Sequence, residues 1–261
     1  MGDGKLVDVM HKDGFMCPLA GRLMGMTAET LVEKYKISRQ EQDAFAAESQ
    51  NKAVKAVKEG KFKEEILAVE IPVGKGKTEP FATEEIPREG VTAEGLAKLP
   101  PVFKKDGTVT AGNSCALCDA AAAVLVMKRE KASALGVKPL ARIVSYGHAG
   151  VDPAIMGIGP VPAVAKALER AKMKLEDIDL IELNEAFAAQ ILAVEKELKW
   201  DRSKVNLHGG AIALGHPVGA TGAKILTTLL YALKTYDKTL GLASMCIGGG
   251  QGVAMIVERL S

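Results

Sequence analysis

The chain has 261 residues, 48% of them hydrophobic, 25% charged and only 4% aromatic, which excludes intrinsic disorder and gives enough length to bury a core. Lys and Arg total 34 against 32 acidic residues, a net charge of +2, which argues against nucleic acid as the main partner. No apolar run approaches the ~18 residues of a membrane span, the N-terminus lacks the basic-then-apolar order of a secretory signal, and cysteines at 17, 115, 118 and 246 do not form an extracellular disulfide framework, so a cytoplasmic α/β protein is expected.

In chain order, Thr27-Ala-Glu-Thr opens a short helix. Ser38 and Glu41 form a capping box, the serine hydroxyl accepting from a free backbone N–H while the glutamate reaches back. The long helix they open runs to Gly60. Ile66–Val73 alternates apolar and polar residues as a strand does, and GKGKTEPFATEEIPREG (74–90) reads as a loop from its Gly, Pro and charge content. Thr92–Leu99 makes a short helix that Pro100-Pro101 stops, and Asp106-Gly107 a turn. AAAAVLVM (120–127) is an apolar run suited to a strand buried on both faces, followed by a linker over 128–138.

From there the pattern is β/α. Arg142–Tyr146 is a predicted strand, Val161–Lys172 a helix with Pro162 in its first turn, Asp179–Leu183 a strand and Ala186–Leu198 a helix. Val205–Leu207 extends, Gly219–Tyr236 is helical, and Leu240–Ile247 and Gly252–Glu258 form a closing pair of strands. This order implies a layered α/β domain over 138–261.

Three segments carry groups capable of chemistry. Asn184-Glu-Ala-Phe187 lies where a strand ends and a helix begins, the place where α/β folds collect ligands. Its asparagine suits a water or a carbonyl oxygen, although a plain N-cap reads the same way and is the commoner use. His216 sits in a glycine-flanked turn before a helix, where the backbone leaves room for a substrate and the imidazole can donate to an oxyanion or move a proton. Cys246 is delivered by a strand to three consecutive glycines whose N–H groups can form an oxyanion hole. A cysteine there is either a small buried hydrophobe or, with a lowered pKa, a base or nucleophile. Cys115-Ala-Leu-Cys118 lacks the second ligand pair that zinc binding wants.

NEAF (184–187), GGAIALGHPVGATGA (209–223), CIGGGQGVA (246–254), DGTVTAGN (106–113), DPAIMGIGP (152–160) and MGMTAE (24–29) together closely resemble the thiolase family, in its order and spacing, over essentially the whole chain. The resemblance implies two related α/β/α/β/α halves plus a loop domain that receives coenzyme A. Residues 1–137 would be the loop domain with the last strand of the N-terminal half, Ala120–Met127, and 138–261 the complete C-terminal half. The family's reaction is a reversible Claisen condensation between acyl-CoA molecules.

By the resemblance Cys246 takes the α-proton, His216 activates the nucleophile and helps bind the thioester oxygen, Asn184 holds the water completing that site, and the Gly248 N–H serves a second oxyanion. Arg88, Phe103, Ala111 and Cys115 would meet coenzyme A, with Met156 and Phe187 at the reactive end. Coenzyme A and acyl-CoA are substrates; no metal and no permanently bound cofactor is expected. Cys115 stands where the family has a serine, and a thiol is the weaker donor; Ala116 and Leu23 replace a glycine and a histidine.

The family's acylated cysteine belongs to the N-terminal half, and Cys17, Cys115 and Cys118 lie outside its motif. The expectation is therefore an oligomeric enzyme in which a second polypeptide, carrying that half, supplies the nucleophile. The alternatives are a non-catalytic CoA-thioester-binding or scaffold subunit and a shortened fragment of a one-chain enzyme. A β-ketoacyl synthase fits poorly, because it needs a histidine where Cys246 stands.

Overall fold

The structure, a computed structural model, describes residues 2–260. Helix α1 (Met24–Tyr35) starts earlier than Thr27 because extended Leu23 caps it directly from a short ladder between Met16–Cys17 and Arg22–Leu23. Helix α2 (Arg39–Lys58) opens on the capping box: Ser38 Oγ accepts from the Glu41 N–H at 3.1 Å, and the Glu41 carboxylate accepts from the Ser38 N–H at 2.6 Å.

The segment 74–90 is not loop throughout. Strand β1 (Val69–Gly74) pairs antiparallel with β2 (Lys77–Phe81), joined by Lys75 and Gly76, both at positive φ (51° and 70°), the backbone a tight two-residue hairpin requires. The exposed charges had masked the pairing. A second correction concerns 120–127, expected as a buried strand: it pairs with no other described strand and is exposed through Val126, with Leu125 81% accessible. Apolar content alone does not make a strand where no partner supplies the hydrogen bonds. Within the expected linker, Arg129–Ala134 is a short helix.

The remaining chain builds one sheet. Strands β3 (Ala141–Gly150), β4 (Leu180–Leu183), β5 (Leu240–Ile247) and β6 (Gln251–Arg259) lie in the order β3-β6-β5-β4. The β4·β5 pair is parallel and the others antiparallel; Val205 adds a single parallel bridge to Ile181. Strand alternation sorts the side chains into two layers. Ile181, Leu183, Leu242, Ala254 and Ile256 face helices α3 (Pro160–Ala171) and α4 (Ala188–Leu198). Leu180, Ala243 and Val257 face helix α5 (Thr221–Thr235) through Leu229 and Leu233. Each fully buried leucine or isoleucine here contributes about 1.5–3 kcal/mol.

Leu31 of α1 and Phe45 of α2 belong to the same buried cluster as α3, α4 and the sheet. The first third of the chain and the sheet thus share one core, and the carboxyl ends of β4 and β5 open toward α1.

Candidate active site

Parallel pairing places the ends of β4 and β5 side by side, so Asn184 donates its backbone N–H to Ser244 O at 3.0 Å, two residues before Cys246. Asn184 is not the helix cap: Phe187 occupies that position and α4 starts at Ala188. The asparagine side chain is buried with neither amide atom hydrogen-bonded to protein. Unpaired buried amides are rare and mark places where another polar group is to be met, which removes the capping interpretation.

Glu185, beside it, is the structural hub. It is 1% exposed and accepts from Ser49 Oγ at 2.6 Å, Asn206 Nδ2 at 2.8 Å and the Ile212 N–H at 3.2 Å. A Cβ at Gly210 would sit 2.1 Å from its carboxyl carbon, which explains the glycine there. This knot fixes the 206–215 segment, whose short helix Ala211–Leu214 ends at Gly215 in positive φ (81°).

His216 follows, with Nδ1 2.7 Å from Thr221 Oγ1 at the start of α5, and its N–H donates to Ala116 O at 3.0 Å. Burial, and secondarily the Lys224 charge, push its pKa down to about 4. The imidazole is neutral at pH 7. With the Thr221 hydroxyl donating to Nδ1, the proton sits on Nε2, and the ring becomes a hydrogen-bond donor rather than a cation. Cys246, 5% exposed at the end of β5, is packed with Met156, Ala186 and Phe187. Burial pushes its thiol up to about 12, the reverse of the lowered value that a resting thiolate would need.

His208, lined by Phe62 and Tyr236, is also held near 4, chiefly by burial and then by Lys61. A depressed histidine contributes stability that is complete above pH 6.5 and lost as pH falls toward 4. Glu65, raised to about 7 by burial, contributes in the opposite direction over an overlapping window, so a difference measurement is needed. The stability gap between wild type and His208→Gln, measured by urea unfolding, is expected to shift against wild type by on the order of 2 kcal/mol between pH 7 and pH 4.5. A pH-independent gap would contradict a buried neutral His208.

The site's other candidates separate into two groups. Phe103 and Phe187 meet edge to face at 6.0 Å, beside Met156 and Cys246 in one cluster. Met24, at the start of α1, closes over Gly248, where an added Cβ would meet its methyl at 2.6 Å. Cys115 donates its N–H to Ala186 O at 3.0 Å, and its thiol is pushed up to about 12 by burial and then by the proximity of Cys246. Arg88 and Ala111 are exposed and lie outside that cluster; the Arg88 N–H is held by Gln50 Oε1 at 2.9 Å.

Comparison with known proteins fits this geometry. Residues 1–130 match the thiolase N-terminal domain family and residues 137–259 the thiolase C-terminal domain family. The chain belongs to the thiolase family. It is 57% identical over 259 residues to an acetyl-CoA acetyltransferase of Pseudomonas aeruginosa, covering 99% of this chain and 66% of that relative. It superposes on the crystal structure of the Bacillus anthracis acetyl-CoA acetyltransferase with a TM-score of 0.95 at 49% identity, covering 100% of this chain and 66% of the other. Human mitochondrial 3-ketoacyl-CoA thiolase in complex with CoA gives a TM-score of 0.87 at 44% identity, over 95% of this chain and 62% of that one. The chain thus spans just under two thirds of the thiolases it matches.

Within this thiolase frame two functional neighbours escape a reading of motifs. Thr221, the partner of His216, lies five residues downstream inside the GHPVGAT turn and is visible only once that turn folds back. Glu185 reads as part of a motif, but its partners Ser49, Asn206 and Ile212 come from three distant segments. No helix is long and apolar enough to cross a membrane among the described residues.

Proposed function

We propose that this chain carries the proton-transfer and oxyanion half of an acetyl-CoA acetyltransferase-type thiolase site, acting on acyl-CoA and CoA in a cytoplasmic oligomer. The observations that support the reading are the states of three groups, one after β4, one just before α5 and one at the end of β5. These are an unpaired buried Asn184 amide, a neutral His216 fixed by Thr221, and a protonated Cys246 against Met156 and Phe187. In this reading a thioester enters past Arg88, Ala111 and Cys115, and its acyl end lies between Phe103, Phe187 and Met156. His216 Nε2–H and a water on Asn184 meet the thioester oxygen. The Gly248 N–H meets the second oxyanion, and Cys246 exchanges a proton with the α-carbon. Two neutral donors stabilise a developing oxyanion without the penalty of desolvating a charge.

None of the four cysteines combines exposure with an activated thiol at this centre. Cys17 and Cys246 are buried, and burial raises the pKa of Cys115 and Cys118. We assign the acylated cysteine to the remaining part of a thiolase N-terminal half, outside these 261 residues. Thiolysis of acetoacetyl-CoA is expected to be undetectable with this chain alone and to appear on adding that half. Full turnover by the purified single chain would refute the divided site. A second reading, a CoA-thioester-binding subunit without turnover, is favoured by the two reacting groups both resting neutral, and the Cys246 variants below decide it.

A further inference from the structure

Residues 113–116 run as a brace between the turn that follows Asn184 and the turn that carries His216. Asn113 O accepts from the Ala188 N–H at 2.9 Å, and the Cys115 N–H donates to Ala186 O at 3.0 Å, on either side of an isolated antiparallel bridge between Ser114 and Phe187. One residue further, the Ala116 N–H donates to Ala211 O at 3.3 Å, and Ala116 O accepts from the His216 N–H at 3.0 Å. These backbone bonds set the spacing of the 186–188 and 211–216 turns, and none of them belongs to the four-stranded sheet. Glu185 joins the two turns at their far ends through Asn206 and Ile212. The brace takes the end nearest the chemistry, where it holds the His216 N–H directly.

The brace is itself held from α2. Asn113 is 0% exposed and Asp43 1%. Asn113 Nδ2 donates to Asp43 Oδ1 at 2.9 Å and to Thr108 O at 3.1 Å, while Asn113 Oδ1 accepts from the Thr110 N–H at 2.8 Å. A carboxylate can only accept, so Asp43 dictates which way this amide faces, and only that orientation offers the Thr110 N–H an acceptor. The other Asp43 oxygen accepts from Arg39 Nε at 2.6 Å, which keeps the buried carboxylate paired. Arg39 Nη2 reaches on to Leu96 O and Leu99 O, at 2.8 and 3.0 Å. Those leucines fill the space beside Gly112, where an added Cβ would meet Leu99 Cδ1 at 2.5 Å. Residues 108 and 109 have a separate anchor in Glu29, which accepts from both N–H groups at 2.8 Å. The hold of Asp43 therefore begins at residue 110.

We propose that Asp43 is a positioning residue of this site. Acting through Asn113, it keeps the 110–116 segment in the register that spaces the 186–188 turn from His216 and presents Ala111 and Cys115 to coenzyme A. This rests on reading Asn184 and His216 as oxyanion donors. Donors carried by two separate turns stabilise an oxyanion only when their spacing is set beforehand, and the brace sets it.

Backbone amide exchange of the purified chain, followed by NMR, reads the brace without turnover. Asp43→Asn keeps the volume but leaves one accepting oxygen for two donors. In this variant the N–H groups of Thr110, Cys115, Ala116, Ala188 and His216 are expected to exchange about ten-fold faster than in wild type, while the β5·β6 ladder keeps its rates. Ser38→Ala weakens the start of α2 without touching Asn113, and should leave all five amides unchanged. Asn113→Ser removes the amide that Asp43 holds and leaves Asp43 paired with Arg39; it should reproduce the effect, and it decides the matter if Asp43→Asn does not fold. Unchanged rates at the five amides, equal acceleration in the β5·β6 ladder, or the same pattern in Ser38→Ala would each overturn the proposal. In the enzyme assembled with the N-terminal half, Asp43→Asn is expected to lower kcat for acetoacetyl-CoA thiolysis by about ten-fold or more, and a wild-type kcat would also overturn it. A wild type without turnover would count against the proposed function and not against the brace, which the exchange rates decide.

Discussion

Cys246→Ala in the enzyme assembled with the N-terminal half is expected to lower kcat for acetoacetyl-CoA thiolysis by roughly 10³-fold, about 4 kcal/mol of barrier. Cys246 ends a strand whose neighbours are buried, packs with Met156, Ala186 and Phe187, and holds its proton because no cation lies beside it to favour the thiolate. In thiolysis the departing acetyl-CoA carbanion must receive a proton, and a thiol raised to about 12 is already in the donating form. In condensation the same group must first lose that proton, and the thiolate so formed is a strong base.

The two directions should therefore separate with pH. Alkylation of Cys246 by iodoacetamide is expected to climb about tenfold per pH unit from 7 to 10, following the thiolate fraction. A plateau near pH 8.5 would show an ordinary thiol and undo the argument. Cys246→Ser keeps the shape and offers a much weaker acid, so it should lose nearly as much as alanine. Wild-type kcat in either variant would favour the binding-subunit reading instead.

What the sequence made legible was local. Ser38 and Glu41 announce α2 because both capping bonds lie within four residues. The closing strands around Cys246 are readable because their alternation and glycine turn are contiguous. The resemblance carried Asn184, His216 and Cys246 to one place, and the structure adds why each is available: an unpaired amide, a ring fixed by Thr221, a buried thiol. Less visible was anything decided by a partner far along the chain. Residues 120–127 have the composition of a core strand but lack a neighbour to pair with. Lys77–Phe81 looks like loop until it pairs with Val69–Gly74. The protonation states of His216 and Cys246 depend on burial by several segments, which no window of sequence reports.

The same distance effect makes Glu185 the position of largest expected stability loss: Glu185→Ala should cost about 3–5 kcal/mol. Its carboxyl gathers a hydroxyl from α2, the amide of Asn206 and the N–H of Ile212. Deletion leaves the Ser49 hydroxyl, the Ile212 N–H and one of the two Asn206 amide hydrogens buried without their acceptor. Asn206 is doubly committed, accepting from the Leu183 N–H and donating to Leu183 O, each at 2.9 Å, so its loss of register would reach β4 itself. Ser49 Oγ in turn accepts from the Gly210 N–H at 3.0 Å. Burial raises the Glu185 pKa against the lowering effect of these donors, so its share of the folding energy diminishes as pH rises above the ordinary carboxylate range. Glu185→Gln keeps one accepting oxygen but turns an NH₂ toward groups that are already donors, and is expected to lose about half as much. Urea unfolding at pH 7 measures both, and a loss below about 1 kcal/mol for the alanine variant would show that the knot is not what fixes the turn. If it is, Asn184 and His216 move together in Glu185→Ala, because Glu185 follows Asn184 directly and ties down the 206–215 segment that leads into His216.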